Sequence, residues 1–288
     1  MVLTKRKIKV TKEGTVINIF FPCNFSENYI HYEYKKQVQP GIHMNQWKVC
    51  KIATATPELE DVIIFGKNIE WEGAIHETGG KGFIAGYHGN EECVDFSIMV
   101  DNRLVDPESD FQLECNYLKL TTMSLLNRFD NPDIKVFKRN RVSEWSGEGY
   151  TVSSRYEALE NLFINRFEST MMALPLEYEG KRFITHGASA KHPTPLEITY
   201  VPEELRENPL FLRDHYTNWY EVYAPEHNFT ARVESVFDYD KYPTATRLCD
   251  SWQVTQFRCF KAYFDMTGKH AAKKGEIFLT KSIYTLEW

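Results

Sequence analysis

No stretch of the sequence reaches the ~18 uninterrupted apolar residues of a membrane-spanning helix. Basic residues are not in excess either: 34 Lys and Arg stand against 40 Asp and Glu, a formal net charge of −6. A general nucleic-acid binder needs a basic footprint to displace counterions from phosphate, so that class is disfavoured. The runs Lys5-Arg6-Lys7 and Lys138-Arg139-Asn140-Arg141 are short and read as solvated strand ends. The six cysteines are widely spaced and form no CxxC pair, which argues against a zinc ribbon. Cys23, Cys93 and Cys115 sit in apolar or alternating stretches and read as buried thiols. No HxH or HxxxH pair forces the histidines onto one metal, so neither metal nor cofactor is expected. The GxSxG elbow, the P-loop and GxGxxG are all missing, which disfavours hydride transfer and nucleotide hydrolysis. Met1 to Lys12 has charge but no apolar leader segment, so synthesis in a cytosol with reduced thiols is expected. Release by lysis, as for a phage component, and a trimmed chain are equally compatible with that start.

What the chain does have is aromatic side chains, at 14% of residues. They suit pleated, half-buried surfaces and favour strands. The apolar residues alternate with polar ones through most of the length, as at Ile17, Ile19 and Phe21, and at Leu113, Cys115 and Tyr117. Extended segments are expected at Trp47 to Ile52, Val62 to Phe65, Ile69 to His76, Phe83 to Tyr87, Val94 to Val100, Phe111 to Leu120, Trp219 to Tyr223, Phe229 to Phe237, Trp252 to Phe264 and Glu276 to Glu287. Tyr150 to Leu174 fits both a helical and a period-2 pattern; two long strands bent at Asn161 suit its β-like neighbours better. Gly187 to Pro209, with four prolines, reads as a long loop with a short helix at Glu203 to Arg206. No linker divides the chain. One domain over residues 1–288 is expected, all-β, built as a large antiparallel two-sheet sandwich with long loops and little helix.

The richest acid/base segment is Gly86-Tyr87-His88-Gly89-Asn90-Glu91-Glu92. An imidazole titrates near neutrality and can act as acid or base, with the Tyr87 phenol and the Glu91 and Glu92 carboxylates as partners. The flanking glycines let backbone approach a ligand closely. In an extended Ile69 to His76, Glu70, Glu72 and His76 share one face. Two carboxylates at i and i+2 then lie roughly 6.5–7 Å apart, near the separation of glycosidase acid/base pairs; they could equally bind sugar hydroxyls or be solvated. Further binding candidates are His186, Arg232, Arg247 and Trp252, since a basic cleft floored by aromatics suits an acidic sugar. For most of these aromatics the plain alternative is sheet core.

Size, long strands, the Tyr87-His88-Gly89 segment and the stretch Tyr150 to Leu176 together resemble carbohydrate-active proteins of the galactose-mutarotase-like, supersandwich type. The resemblance implies a histidine acid and a glutamate base on a concave face, with His88 in the histidine role; no residue of this chain is matched to the family's second histidine or its glutamate. The leading expectation is an enzyme acting on a polysaccharide or glycoside, of lyase or hydrolase type, by acid/base chemistry at His88. A non-catalytic glycan-binding or virion-attachment protein and an aldose-1-epimerase-like enzyme are the alternatives. In each case the partner is a carbohydrate, not a nucleic acid or a membrane.

Overall fold

A computed structural model of the protein describes residues 6–67, 71, 73–77, 82–147, 149–199, 212, 217–236, 249–254 and 259–288, with residues 66, 67 and 249–254 as backbone only. Among these residues the chain is strand and turn, without an α-helix. The first third forms β1 (Ile8–Glu13), β2 (Val16–Pro22), β3 (Tyr29–Gln39), β4 (Met44–Ala55), β5 (Asp61–Lys67), β6 (Ala74–Glu77), β7 (Phe83–Ile84) and β8 (Glu91–Val100). The middle forms β9 (Arg103–Val105), β10 (Phe111–Cys115), β11 (Leu118–Asn127), β12 (Lys135–Ser146), β13 (Gly149–Ala158), β14 (Leu162–Pro175), β15 (Glu177–Tyr178) and β16 (Lys181–Arg182). The last part forms β17 (His186–Ser189), β18 (Leu196–Glu197), β19 (Trp219–Ala224), β20 (Phe229–Val236), β21 (Cys249–Val254), β22 (Cys259–Asp265), β23 (His270–Ala272) and β24 (Ile277–Glu287).

Two sheets pack as a sandwich. The large one runs β10-β1-β2-β3-β4-β8-β11-β12-β13-β24-β20-β19-β17-β18, with β5 beside β4 and β9 beside β8. The small one runs β21-β22-β14-β6-β7, with β23 beside β14. Nearly every pairing is antiparallel. The exception is the parallel contact of β4 with β8, limited to Met44↔Glu91 and Asn45↔Glu92. At that narrow joint the N-terminal hairpins meet the rest of the large sheet.

The expected bend near Asn161 is present: β13 ends at Ala158 and β14 starts at Leu162. Other expectations need correction. Phe111 to Leu120 is two strands, broken at Asn116-Tyr117, where both backbone N–H groups donate to the Asp101 carboxylate. Trp252 to Phe264 is likewise parted, between β21 and the antiparallel β22. The strand at Phe83 stops at Ile84, and a 3-10 turn of Gly86–His88 follows. The loop expected from Gly187 carries the β17–β18 pairing; its proposed helix at 203–206 lies outside the described residues. Arg6 is no solvated strand end: its guanidinium donates to the carbonyls of Cys23, Ser26 and Asn28 and holds that turn closed. Cys23 and Cys115 are buried as expected, whereas Cys93 is half-buried.

Apolar packing between the sheets falls into two main bodies. One gathers Trp47, Ile98, Leu118, Leu120, Trp145, Tyr150, Tyr220 and Tyr284 with Leu174 and Phe264 of the small sheet. The other gathers Leu126, Phe137, Tyr156, Ala158 and Phe278 with Ile164 and Phe167. Between them the inward faces carry polar groups. On β12 the buried residues are Val136 and then the alternating set Phe137, Arg139, Arg141, Ser143 and Trp145. Register places Ser124 and Tyr156 beside Arg139, and Thr122 and Ser154 beside Arg141. The band continues through Thr280 and Ser282 of β24 to Ser235 of β20. From the small sheet Thr170 meets Ser282 and Ser235.

Candidate functional site: a turn at the sheet joint

Local backbone chemistry sets the turn. The Ala85 N–H donates to the Gly89 carbonyl at 2.9 Å and the His88 N–H to the Ala85 carbonyl at 3.1 Å. Four residues take positive φ: Ala85 (73°), Gly86 (56°), Gly89 (76°) and Asn90 (51°). For Ala85, with ψ 164°, this is a region normally reserved for glycine, costing on the order of 1–3 kcal/mol. Gly89 has a second reason to be glycine, because an added Cβ would run into the Ile42 carbonyl oxygen. The Asn90 N–H then donates to that carbonyl at 2.8 Å, and the Glu91 N–H to His43 at 3.0 Å. The strained turn is thereby bolted to the joint between β4 and β8.

Because the two strands pair at only two positions, the β4 edge beyond them needs other hydrogen-bond partners. Arg141 donates to the Trp47 carbonyl and, at 2.9 Å, to the Tyr34 hydroxyl. The Gln46 side chain donates to the Gly86 carbonyl. Arg139 donates to Glu91, whose other oxygen accepts from the Gly86 N–H at 3.4 Å. Arg139 and Arg141 are only 1% and 2% exposed, and the Glu91 side chain not at all. The run Lys138 to Arg141 is therefore the interior of a strand, contrary to the solvated end expected for it. Its two arginines were missed as site residues. Phe137 and Trp145, four residues either side of Arg141, mark the same inward phase and were the available signal.

His88 lies over this joint. Its ring stacks on Phe83 with centroids 5.0 Å apart, and the edge of Tyr87 meets it at 6.1 Å. Lys48, 1% exposed, brings its ammonium to 5.2 Å from the Tyr87 centroid. Burial, reinforced by the Lys48 charge, lowers the His88 pKa to about 4. The imidazole is thus neutral at neutral pH: it can accept a proton but holds none extra to give. His76 continues the row, its ring 5.0 Å from Phe83 and its Nδ1 3.2 Å from the Asn165 amide. Burial and the neighbouring Arg166 lower its pKa too.

The remaining candidates divide plainly. Glu91 sits on the inward face with Arg139, while Glu92 points the other way, half-exposed, and pairs with Lys135 at 3.0 Å. The two carboxylates flank one backbone but do not share a site. Arg232 lies on the outer face of β20, opposite the inward Val233 and Ser235, with its guanidinium 3.9 Å from the Trp219 ring centroid and Glu221 and Glu234 alongside. His186 opens β17, with Nδ1 2.9 Å from the Thr185 hydroxyl. Both belong to the far end of the large sheet, away from β8. Glu70, Glu72 and Arg247 lie outside the described residues, as does the side chain of Trp252. The structure brings together His88, Tyr87, Glu91 and His76, and adds Lys48, Gln46, Phe83, Arg139 and Arg141. Among the described residues no group of three or more His, Cys, Asp or Glu is placed to hold a metal ion.

No protein-family model matches the sequence, and no curated protein is significantly similar to it in sequence. In overall strand arrangement the chain is similar to a galactose mutarotase-like protein from Clostridium acetobutylicum, at 10% identity and TM-score 0.43, over 99% of each chain. It is also similar to the galactosidase domain of the alpha-galactosidase–sucrose kinase AgaSK, at 9% identity and TM-score 0.40, over 97% of this chain and 41% of that one. The chain thus spans less than half the length of the second protein. These likenesses concern overall fold, and the resemblance read from the sequence is met at that level: an all-β two-sheet sandwich with faint likeness to galactose-mutarotase-like proteins.

Proposed function

We propose that the protein acts on an acidic saccharide at the His88 turn, by removing a proton next to a carboxylate, as a polysaccharide lyase does. The observation that carries this reading is a neutral, half-buried imidazole set beside the buried ammonium of Lys48. With a pKa of about 4, His88 is unprotonated across the neutral range and can serve as base. Lys48 of β4 supplies positive charge beside the turn, and Arg141 of β12 adds to the local potential from two strands further along the sheet than β8. Together they would favour a uronate carboxylate and acidify the C5 proton, while the charge of Arg139 is already matched by Glu91. Tyr87, 38% exposed and next to the histidine, is the group to protonate the departing glycosidic oxygen. Phe83 holds the imidazole plane. Abstraction of the C5 proton by His88 and expulsion of the C4 oxygen leaves a C4–C5 double bond, with no other reactant consumed. Carbohydrate as the ligand class is also consistent with the mutarotase-like likeness of the fold.

The test is incubation of the full chain with pectate, alginate and hyaluronan, following the absorbance of the new double bond. Activity on one of them, lost at least a hundredfold in His88→Ala and in Lys48→Met, is expected. Full activity in His88→Ala would remove the assignment of that residue. A second reading, glycan binding without turnover, is favoured by the closure of Glu91 on Arg139 and the Gly86 N–H, which leaves that carboxylate engaged. Saturable binding of a uronate oligomer without product would select it.

A further inference from the structure

Away from the His88 turn, the outer face of the N-terminal hairpins holds a groove of about 390 Å3, bordered by Lys9, Thr11, Phe20, Leu59, Gln112 and Glu114. Cross-strand register arranges these side chains as a lattice. Glu114, Lys9, Phe20 and His31 form one row over β10, β1, β2 and β3; Gln112, Thr11 and Asn18 form the next. Three strands span roughly 10 Å and the rows lie about 7 Å apart, the footprint of one or two pyranose rings. The volume is within the range of small-ligand sites, on the order of 300–1,000 Å3.

The platform is locked from behind. The Phe20 ring stacks on His31 with centroids 4.2 Å apart and planes at 17°. His31 Nδ1 lies 2.6 Å from Asp61 and Nε2 3.0 Å from the Asn18 side-chain oxygen. The Asn18 amide donates to the Thr11 hydroxyl at 3.4 Å, which leaves the Thr11 proton to donate into the groove. Leu59 is held at φ 70°, a strained value for a branched residue, by its N–H to the Thr56 carbonyl at 2.9 Å.

Lys9 and Glu114 stand directly opposite each other, yet do not close: the Lys9 ammonium instead lies 5.0 Å from the Tyr29 ring centroid. The walls thus offer a donor of one charge and an acceptor of the other. An anion would meet Glu114 and a cation Lys9. A free amino acid would satisfy both charges but leave most of the volume and the Phe20 and Leu59 floor uncovered. A neutral sugar fits throughout, because each hydroxyl accepts from the ammonium or donates to the carboxylate while the ring's C–H face covers the apolar floor. From this we infer that the outer groove is a second saccharide site, for a neutral disaccharide, separate from the His88 turn.

The test is two-dimensional amide NMR of the full chain titrated with maltose, cellobiose, lactose and glycine. One of the disaccharides should shift the amides of Lys9, Thr11, Phe20 and Gln112. Its affinity should fall at least tenfold in Gln112→Trp, a surface change that fills the groove, and stay within twofold in His88→Ala. No saturable shift with any of the three disaccharides, shifts with glycine alone, or binding unaltered in Gln112→Trp would overturn the inference. The readout is binding of uncharged sugars, so loss of lyase activity with uronates would leave this result standing, and the reverse.

Discussion

Arg139 of β12 and Glu91 of β8 form an ion pair across the strand between them, β11, with both side chains almost wholly withdrawn from solvent. Desolvating such a pair costs several kcal/mol per ion, and a well-packed apolar pair would serve stability as well or better. The pair instead fastens the Gly86 turn, since Glu91 also accepts from the Gly86 N–H. It links the position of His88 to the middle of the large sheet.

Removing one partner leaves the other charge buried. Arg139→Met and Glu91→Leu should each lower unfolding free energy by about 3–5 kcal/mol, and the double substitution should recover much of that loss. Urea denaturation of the two single variants and the double variant measures the coupling. Additive losses would mean the two residues act independently.

His88 gives stability a defined pH dependence. Its folded pKa, about 4, lies below the ordinary 6.5, so between those values the unfolded chain binds more proton than the folded one. The neutral form's contribution is complete above 6.5 and is lost as pH falls toward 4. The difference is up to about 3 kcal/mol. Unfolding curves from pH 7.5 to pH 4 on the protein and on His88→Gln check this; the variant should show a shallower decline. In the proposed reaction the acidic limb of kcat/KM should likewise sit nearer pH 4 than pH 6.5.

Gly89→Ala places a Cβ against the Ile42 carbonyl at a positive φ. The turn must then leave the β4–β8 joint, at a cost of roughly 2–4 kcal/mol. Freed from burial and from Lys48, His88 should titrate closer to 6.5. NMR titration of its ring, alongside the melting temperature, reads both effects in one variant.

Asp61 ties β5 to its neighbours through His31 at 2.6 Å and Lys51 at 2.8 Å. Burial raises its pKa, but the hydrogen bonds and charges of His31 and Lys51 outweigh burial and hold it below the ordinary carboxylate value. The stabilisation is present above the unfolded pKa and lost as pH falls through the folded one. Asp61→Asn should therefore melt lower than the parent at pH 7, with the gap narrowing toward pH 3. A gap constant across that range would assign the ion pair no role.

How much was legible depended on the residue. The alternation at β13 and the break at Asn161 were readable because side-chain period is a local property of the chain. The glycines Gly86 and Gly89 drew attention to His88, but the extended segment expected through Tyr87 ends at Ile84, and the turn that carries the histidine is fixed in place by tertiary hydrogen bonds to the chain entering β4. Arg139 and Arg141 were not. On β12 the apolar Val142 stands in the phase opposite to Phe137 and Trp145, and Val136 is buried as well, at the register shift facing Leu126 and Asn127, so only the neighbouring strands decide which phase of the later residues faces inward. Glu91 and Glu92 look equivalent as a pair; the onset of β8 at Glu91 sends one into the interior and the other outward.

The sequence by itself determined strand-rich structure, the positions of most turns and the chemical endowment of the Tyr87 to Glu92 segment, because propensity and period act over a few residues. Tertiary structure decided which charges are buried. Lys48 of β4, Glu91 of β8 and Arg139 and Arg141 of β12 come together only through a narrow parallel joint between strands far apart in the chain. The proton affinity of His88 then follows from that assembly, since desolvation and a neighbouring ammonium are properties of the packed sheet and not of the turn that carries the imidazole.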